Sequence, residues 1–133
     1  MAEAARKRIL FVDDEMAILE ATMMLLEERY EVTGATRGDV ALTLFQEGDF
    51  DLVVSDIIMP GLDGLQLFAA VRKIRPQQPF VFVSVSELFF QDPQVESILH
   101  QQADGFLGKP FRFEDLLALV DRVLSRPEPA PPA

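Results

Sequence analysis

Four ionisable side chains stand at the ends of short apolar runs. Asp13-Asp14 closes Ile9-Leu10-Phe11-Val12, Asp56 closes Leu52-Val53-Val54-Ser55, and Lys109, followed by Pro110, closes Phe106-Leu107-Gly108. Three carboxylates brought within about 5 Å of one another repel by roughly 3 kcal/mol per pair at an effective dielectric near 20. Such a group persists only if it takes up protons or a cation neutralises it. Crowded oxygen donors suit a hard divalent ion, and Mg2+ fits a site with few protein ligands and several waters. Three carboxylates, one Mg2+ and one ammonium then sum to zero charge. An incoming phosphoryl group would find a cation and an ammonium ready for its oxygens, the main requirement of phosphoryl transfer. An aspartate at such a place can act as nucleophile and form an acyl phosphate.

These groups converge only if each run is a buried strand delivering its last residue to one edge of a sheet. Short apolar stretches bounded by turn residues read as strands buried on both faces, here 8–12, 31–35, 51–55, 80–84 and 105–108. Helical spacing fills the intervals. Ile18, Leu19, Thr22, Leu25 and Leu26 mark a helix over 16–29, and Val40, Leu42, Leu44 and Phe45 one over 38–46 with Gly48 as its C-cap. Leu65, Phe68, Ala69 and Val71 mark a third over 65–74, stopped by Arg75-Pro76. Asp92-Pro93 supplies a cap and first turn for 94–101, and 114–125 carries an apolar stripe from Leu116 to Leu124. Strict alternation of strand and helix predicts an α/β fold with a parallel sheet covered on both faces, and the crevice beyond the strand C-termini is where ligands bind.

Composition narrows the functions available. At 133 residues there is room for one cored domain and not two. A net charge of −10 repels nucleic acid and anionic membranes, so neither is an expected partner. No cysteine is present, which removes disulfides and thiolate metal sites. Residues 1–7 read as a charged extension without the apolar stretch of a signal peptide or membrane span. Four prolines in 127–133 read as an extended tail or the start of a linker. The expected location is cytoplasmic.

Taken together, Ile9-Leu10-Phe11-Val12-Asp13-Asp14-Glu15, Asp56-Ile57-Ile58-Met59-Pro60-Gly61-Leu62-Asp63-Gly64 and Ala103-Asp104-Gly105-Phe106-Leu107-Gly108-Lys109-Pro110-Phe111 resemble the receiver domain of two-component response regulators. The resemblance covers almost the whole chain, with 8–126 as the receiver unit. It implies a doubly wound, flavodoxin-like (βα)5 fold with strand order 2-1-3-4-5. It also implies that Asp56 is the phosphoacceptor and that Mg2+ is held by Asp13, Asp14, Asp56 and the backbone carbonyl of Ile58. Lys109 would pair with the phosphoryl oxygens, and the Lys109–Pro110 bond would be cis. Ser84 would supply the switch hydroxyl, with Ser86 on the same strand side as the alternative. Phe106 would relay the change to the surface formed by the helix over 94–101, the strand over 105–108 and the helix over 114–125, which controls an output partner or a homodimer. The donor would be a sensor histidine kinase or phosphotransfer protein, and the chain a switch rather than an enzyme. Two departures stand out: Val85 occupies a position usually small in the family, and the stretch from Ser84 to Lys109 is a few residues longer than usual.

Other readings compete. The acidic doublet can cap a helix, Asp56 can serve the following turn, and Lys109 can be an ordinary solvated lysine. His100 reads as a surface residue rather than a phosphotransfer histidine. Leu88-Phe89-Phe90 reads as folded over the core or as a patch for a partner. From other classes, a small Mg2+-dependent phosphohydrolase would use the same carboxylates, and a degenerate receiver would act only as a docking module.

Overall fold

The structure is a computed structural model, and it describes residues 6–85 and 92–126. The expectations for Ser86, for Leu88-Phe89-Phe90 and for the proline-rich tail lie outside the described residues. Strands β1 (Arg8–Val12), β2 (Glu31–Ala35), β3 (Leu52–Asp56), β4 (Phe80–Val85) and β5 (Gly105–Lys109) alternate with helices. These are α1 (Met16–Leu26), α2 (Gly38–Glu47), α3 (Gly64–Ile74), α4 (Pro93–Ser97, continued by a wider turn over Ile98–Gln102) and α5 (Phe113–Leu124). All strands are parallel, in the order β2-β1-β3-β4-β5.

Period-2 alternation divides the strand residues between two cores. Leu10, Val12, Val53, Phe80 and Phe82 face α2, α3 and α4, where Phe45, Leu67, Phe68 and Leu99 meet them. Ile9, Phe11, Leu52, Val54, Val81 and Val83 face α1 and α5, against Leu19, Leu26, Leu116 and Val120. Burial on both sides explains why β3 reads as the apolar run Leu52-Val53-Val54 and why Ser55, just before Asp56, is buried as well. The chain therefore folds as the doubly wound α/β architecture that the strand–helix alternation predicts.

Boundaries moved where polar groups found partners. Asp51 stays outside β3 because it is tied to Arg8: its N–H donates to the Arg8 carbonyl at 2.8 Å and its carboxylate accepts the Arg8 N–H at 2.8 Å. Helix α1 stops at Leu26, short of the expected 29, and the Arg29 and Tyr30 N–H groups turn back to the Leu26 carbonyl. Asp63 and Gln66 form a reciprocal capping box that starts α3 one residue early, at Gly64. Helix α4 departs most from the expected regular helix. After the Asp92 cap on Gln94 N–H, the chain widens so that Ala103 N–H donates to the Ile98 carbonyl, five residues back.

Two glycines bring α3 against the site. Gly61 adopts a φ of +76°, which lets the Met-Pro-Gly bend reverse the chain. A Cβ on Gly64 would sit 2.0 Å from the Asp56 carbonyl oxygen, so only glycine allows this approach.

Candidate functional site

The site is assembled from the C-terminal ends of β1, β3, β4 and β5, four neighbouring strands that the parallel topology places side by side. Asp13 follows β1 and is fully buried, Asp56 ends β3 at 5% exposure, and Ser84 lies near the end of β4 at 2%. Lys109 ends β5 with Val85 as its register partner. The Lys109 ammonium donates to Asp13 Oδ2 at 2.8 Å, to Asp56 Oδ2 at 2.8 Å and to Glu15 Oε1 at 3.4 Å. Carboxylate oxygens of Asp13, Glu15 and Asp56 all lie within 4.8 Å of one another.

The two oxygens of Asp56 differ. Oδ1 accepts from Ser84 Oγ at 2.8 Å, from Ile57 N–H at 2.7 Å and from Ile58 N–H at 3.3 Å. Oδ2 accepts from Lys109. Ser84 thus touches the Asp56 carboxylate, and Ser86 lies outside the described residues. Asp13 is organised by the backbone, its Oδ1 accepting the Glu15 N–H at 2.9 Å. That bond turns the chain at the mouth of α1 and aims Asp13 inward.

Electrostatics follow the burial. Burial is the largest influence on Asp13 and raises its carboxyl above the usual range, with the Lys109 and Glu15 N–H bonds opposing it. Burial alone would lower the Lys109 ammonium, but Asp13 and Asp56 outweigh it, and Lys109 stays charged above its ordinary range. Three carboxylates against one ammonium leave an excess of negative charge and a set of hard oxygen donors. That donor set fits a hard divalent cation.

Asp14 is exposed and stands outside the group of three, while Glu15, which the motif reading gave no role, stands within it. Three consecutive acids carry no periodicity that says which one faces inward, so only the Asp13 turn could reveal Glu15. The Ile58 side chain is exposed, and its N–H reaches Asp56. The Lys109–Pro110 peptide bond is cis. Phe106 pairs in register with Phe82 and packs against the α2–α4 core. His100 is exposed, the surface position the sequence suggested, and meets Phe106 edge-on at 5.2 Å. Val85 is exposed at the end of β4. It shares a groove of about 490 Å³ with Glu15, Lys109, Phe111 and, from α1, Ile18 and Leu25. No described helix is long and apolar enough to cross a membrane.

Known proteins carry the same frame. The sensor kinase CckA of Brucella abortus is 35% identical over 121 residues, covering 89% of this chain and 12% of that protein. Among solved structures, the non-phosphorylated HemR receiver domain from Leptospira biflexa superposes with a TM-score of 0.84 at 28% identity, covering 94% of this chain and 99% of that one. The response regulator TrrA from Thermotoga maritima, solved in complex with Mg2+-BeF, gives 0.76 at 35% identity, covering 88% of this chain and 98% of that one. The chain spans between 12% and 53% of the length of the first curated relatives it matches. The family model for the response regulator receiver domain matches residues 9–121. With that match over most of its length, and acids and lysine gathered at the strand ends, the chain belongs to the response regulator receiver domain family.

Proposed function

We propose that Asp56 accepts a phosphoryl group from a phosphohistidine of a sensor histidine kinase or phosphotransfer protein, and that the change is read at the α4-β5-α5 surface. The observation that carries this reading is the asymmetry of Asp56. Its Oδ1 is saturated by Ser84 and two backbone N–H groups, while Oδ2 faces Lys109 and keeps a lone pair for attack. As the Oδ2–P bond forms, the histidine N–P bond breaks and its electron pair stays on the imidazole nitrogen. The product is an acyl phosphate on Asp56.

Asp13 and Asp56, joined by the exposed Asp14 beside them and the Ile58 carbonyl, are the groups that would hold Mg2+, and a relative solved with Mg2+-BeF supports a divalent ion as the cofactor. Bound there, Mg2+ neutralises charge on the transferring oxygens. The residues do the rest. Phosphorylation replaces one carboxylate charge by about two phosphate charges. Ser84 then turns its hydroxyl from Asp56 to a phosphoryl oxygen, Lys109 follows the new anion, and Phe106 repacks behind them. The bistable element is the end of β4 with β5 and α4. The working unit is residues 8–126, placed in the cytoplasm, with a homodimer or an output partner on the switched surface. It acts as a switch that is labelled once, not as an enzyme that turns over an external substrate.

Incubation with acetyl phosphate and Mg2+, followed by intact-mass spectrometry, tests the reading. One phosphoryl adduct per chain is expected, absent in Asp56→Asn and in excess chelator. An adduct of equal yield in Asp56→Asn would overturn it.

A further inference from the structure

The Lys109 ammonium has three N–H bonds, and the structure assigns all three: to Asp13, to Asp56 and to Glu15. Taking Asp56 as the phosphoacceptor, on which this inference rests, a phosphoryl oxygen arriving beside Oδ2 needs one of them. Asp13 is fully buried, and its oxygen released from Lys109 would have no water to take the place of that 2.8 Å bond. Asp56 carries the reacting oxygen itself. Glu15 differs from both: its contact is the longest, 3.4 Å, and its side chain is 59% exposed, so water can replace the lysine there at little cost.

We propose that Glu15 is a positioning residue: it holds the third N–H of Lys109 at rest and yields it to the incoming phosphoryl group, so its carboxylate restrains the rate at which Asp56 is phosphorylated. The Glu15 backbone and side chain divide the work. The N–H fixes Asp13, and the carboxylate reaches over the groove to Lys109. The same carboxylate also faces the oncoming negative charge.

The test measures labelling of the full chain by acetyl phosphate at saturating Mg2+, with Mg2+ affinity read separately by titration calorimetry. Glu15→Gln removes the charge at an exposed helix N-cap whose side chain makes no capping bond, so the fold should be kept. Its rate should rise by roughly 1.4- to fivefold, the span of an exposed ion pair. Glu15→Asp keeps the charge but falls one methylene short of Lys109, and it should also be faster than wild type. Mg2+ affinity should stay within about fivefold in both, again the span of one exposed charge pair.

A Glu15→Gln rate at or below wild type overturns the proposal. So does a fast Glu15→Gln beside a wild-type Glu15→Asp, because the charge would then act through its field and not by holding Lys109. A larger loss of Mg2+ affinity assigns Glu15 to the cation instead. A wild-type chain that takes no label fails the reading of Asp56 itself, which is a distinct result.

Discussion

Asp104 and Asp13 are carboxylates at opposite edges of one sheet, and their partners differ in kind. Where the strands begin, Asp104 accepts from Arg72 at 3.1 Å, from Arg126 at 2.6 Å and from the Phe80 N–H at 2.8 Å. One carboxylate there meets two guanidinium groups. Where the strands end, Asp13, Glu15 and Asp56 share one ammonium. The first arrangement is saturated and ties α3, β4 and β5 to the end of α5. The second is short of positive charge, and that shortage is what makes it chemically useful. An excess of buried carboxylate costs stability, and only a cation or a proton restores it.

Mutation should therefore change stability in opposite directions at the two edges. Asp104→Ala strands a half-buried guanidinium and a strand N–H, and urea denaturation should show a loss of about 3 kcal/mol. Labelling of Asp56 should not change. Unchanged stability would mean the Asp104 cluster is decoration. The next largest effect belongs to the other edge. Mg2+ at about a hundred times its dissociation constant should stabilise the wild type by about 2.7 kcal/mol. The gain should vanish in Asp13→Asn, as read by thermal unfolding with and without chelator.

In chelator, Asp13→Asn should be more stable than wild type near neutral pH, by about 1 kcal/mol. The sign follows from the raised carboxyl of Asp13. A folded-state value above the unfolded one contributes stability below the unfolded value and loses it as pH rises through the folded value. The advantage of the variant should thus shrink as the solution is acidified. A constant difference from pH 4 to 8 would detach the effect from Asp13 ionisation.

An effect of similar size lies again at the strand-start edge, where the Tyr30 hydroxyl donates to Asp121. Burial, with Asp121, pushes that phenol up to about 12. Tyr30→Phe should cost about 1 kcal/mol at pH 8. The difference from wild type should close as pH rises from the ordinary phenol value through about 12, since a raised phenol stabilises only while protonated. A difference that persists at the alkaline end would separate the bond from the titration.

Much of this could be read from residue order alone. Apolar runs that must be buried on both faces pick out the strands, and 3.6-residue stripes the helices, because each element has one way to hide its apolar surface. Strand ends at Asp13, Asp56, Ser84 and Lys109 follow from the same runs, and the motifs around them carried the family. The missing parts all depend on where a side chain or backbone group finds a distant partner. Glu15 meets Lys109 across 94 residues of chain, and Asp104 meets Arg72 across 32. Nothing in local spacing tells which of three consecutive acids turns inward, or that α4 widens by one residue after Ser97. Residue order determined the elements and the edge at which they deliver charge. Only tertiary packing decided which charges pair, because electrostatic partners are chosen by distance and burial rather than by sequence neighbours.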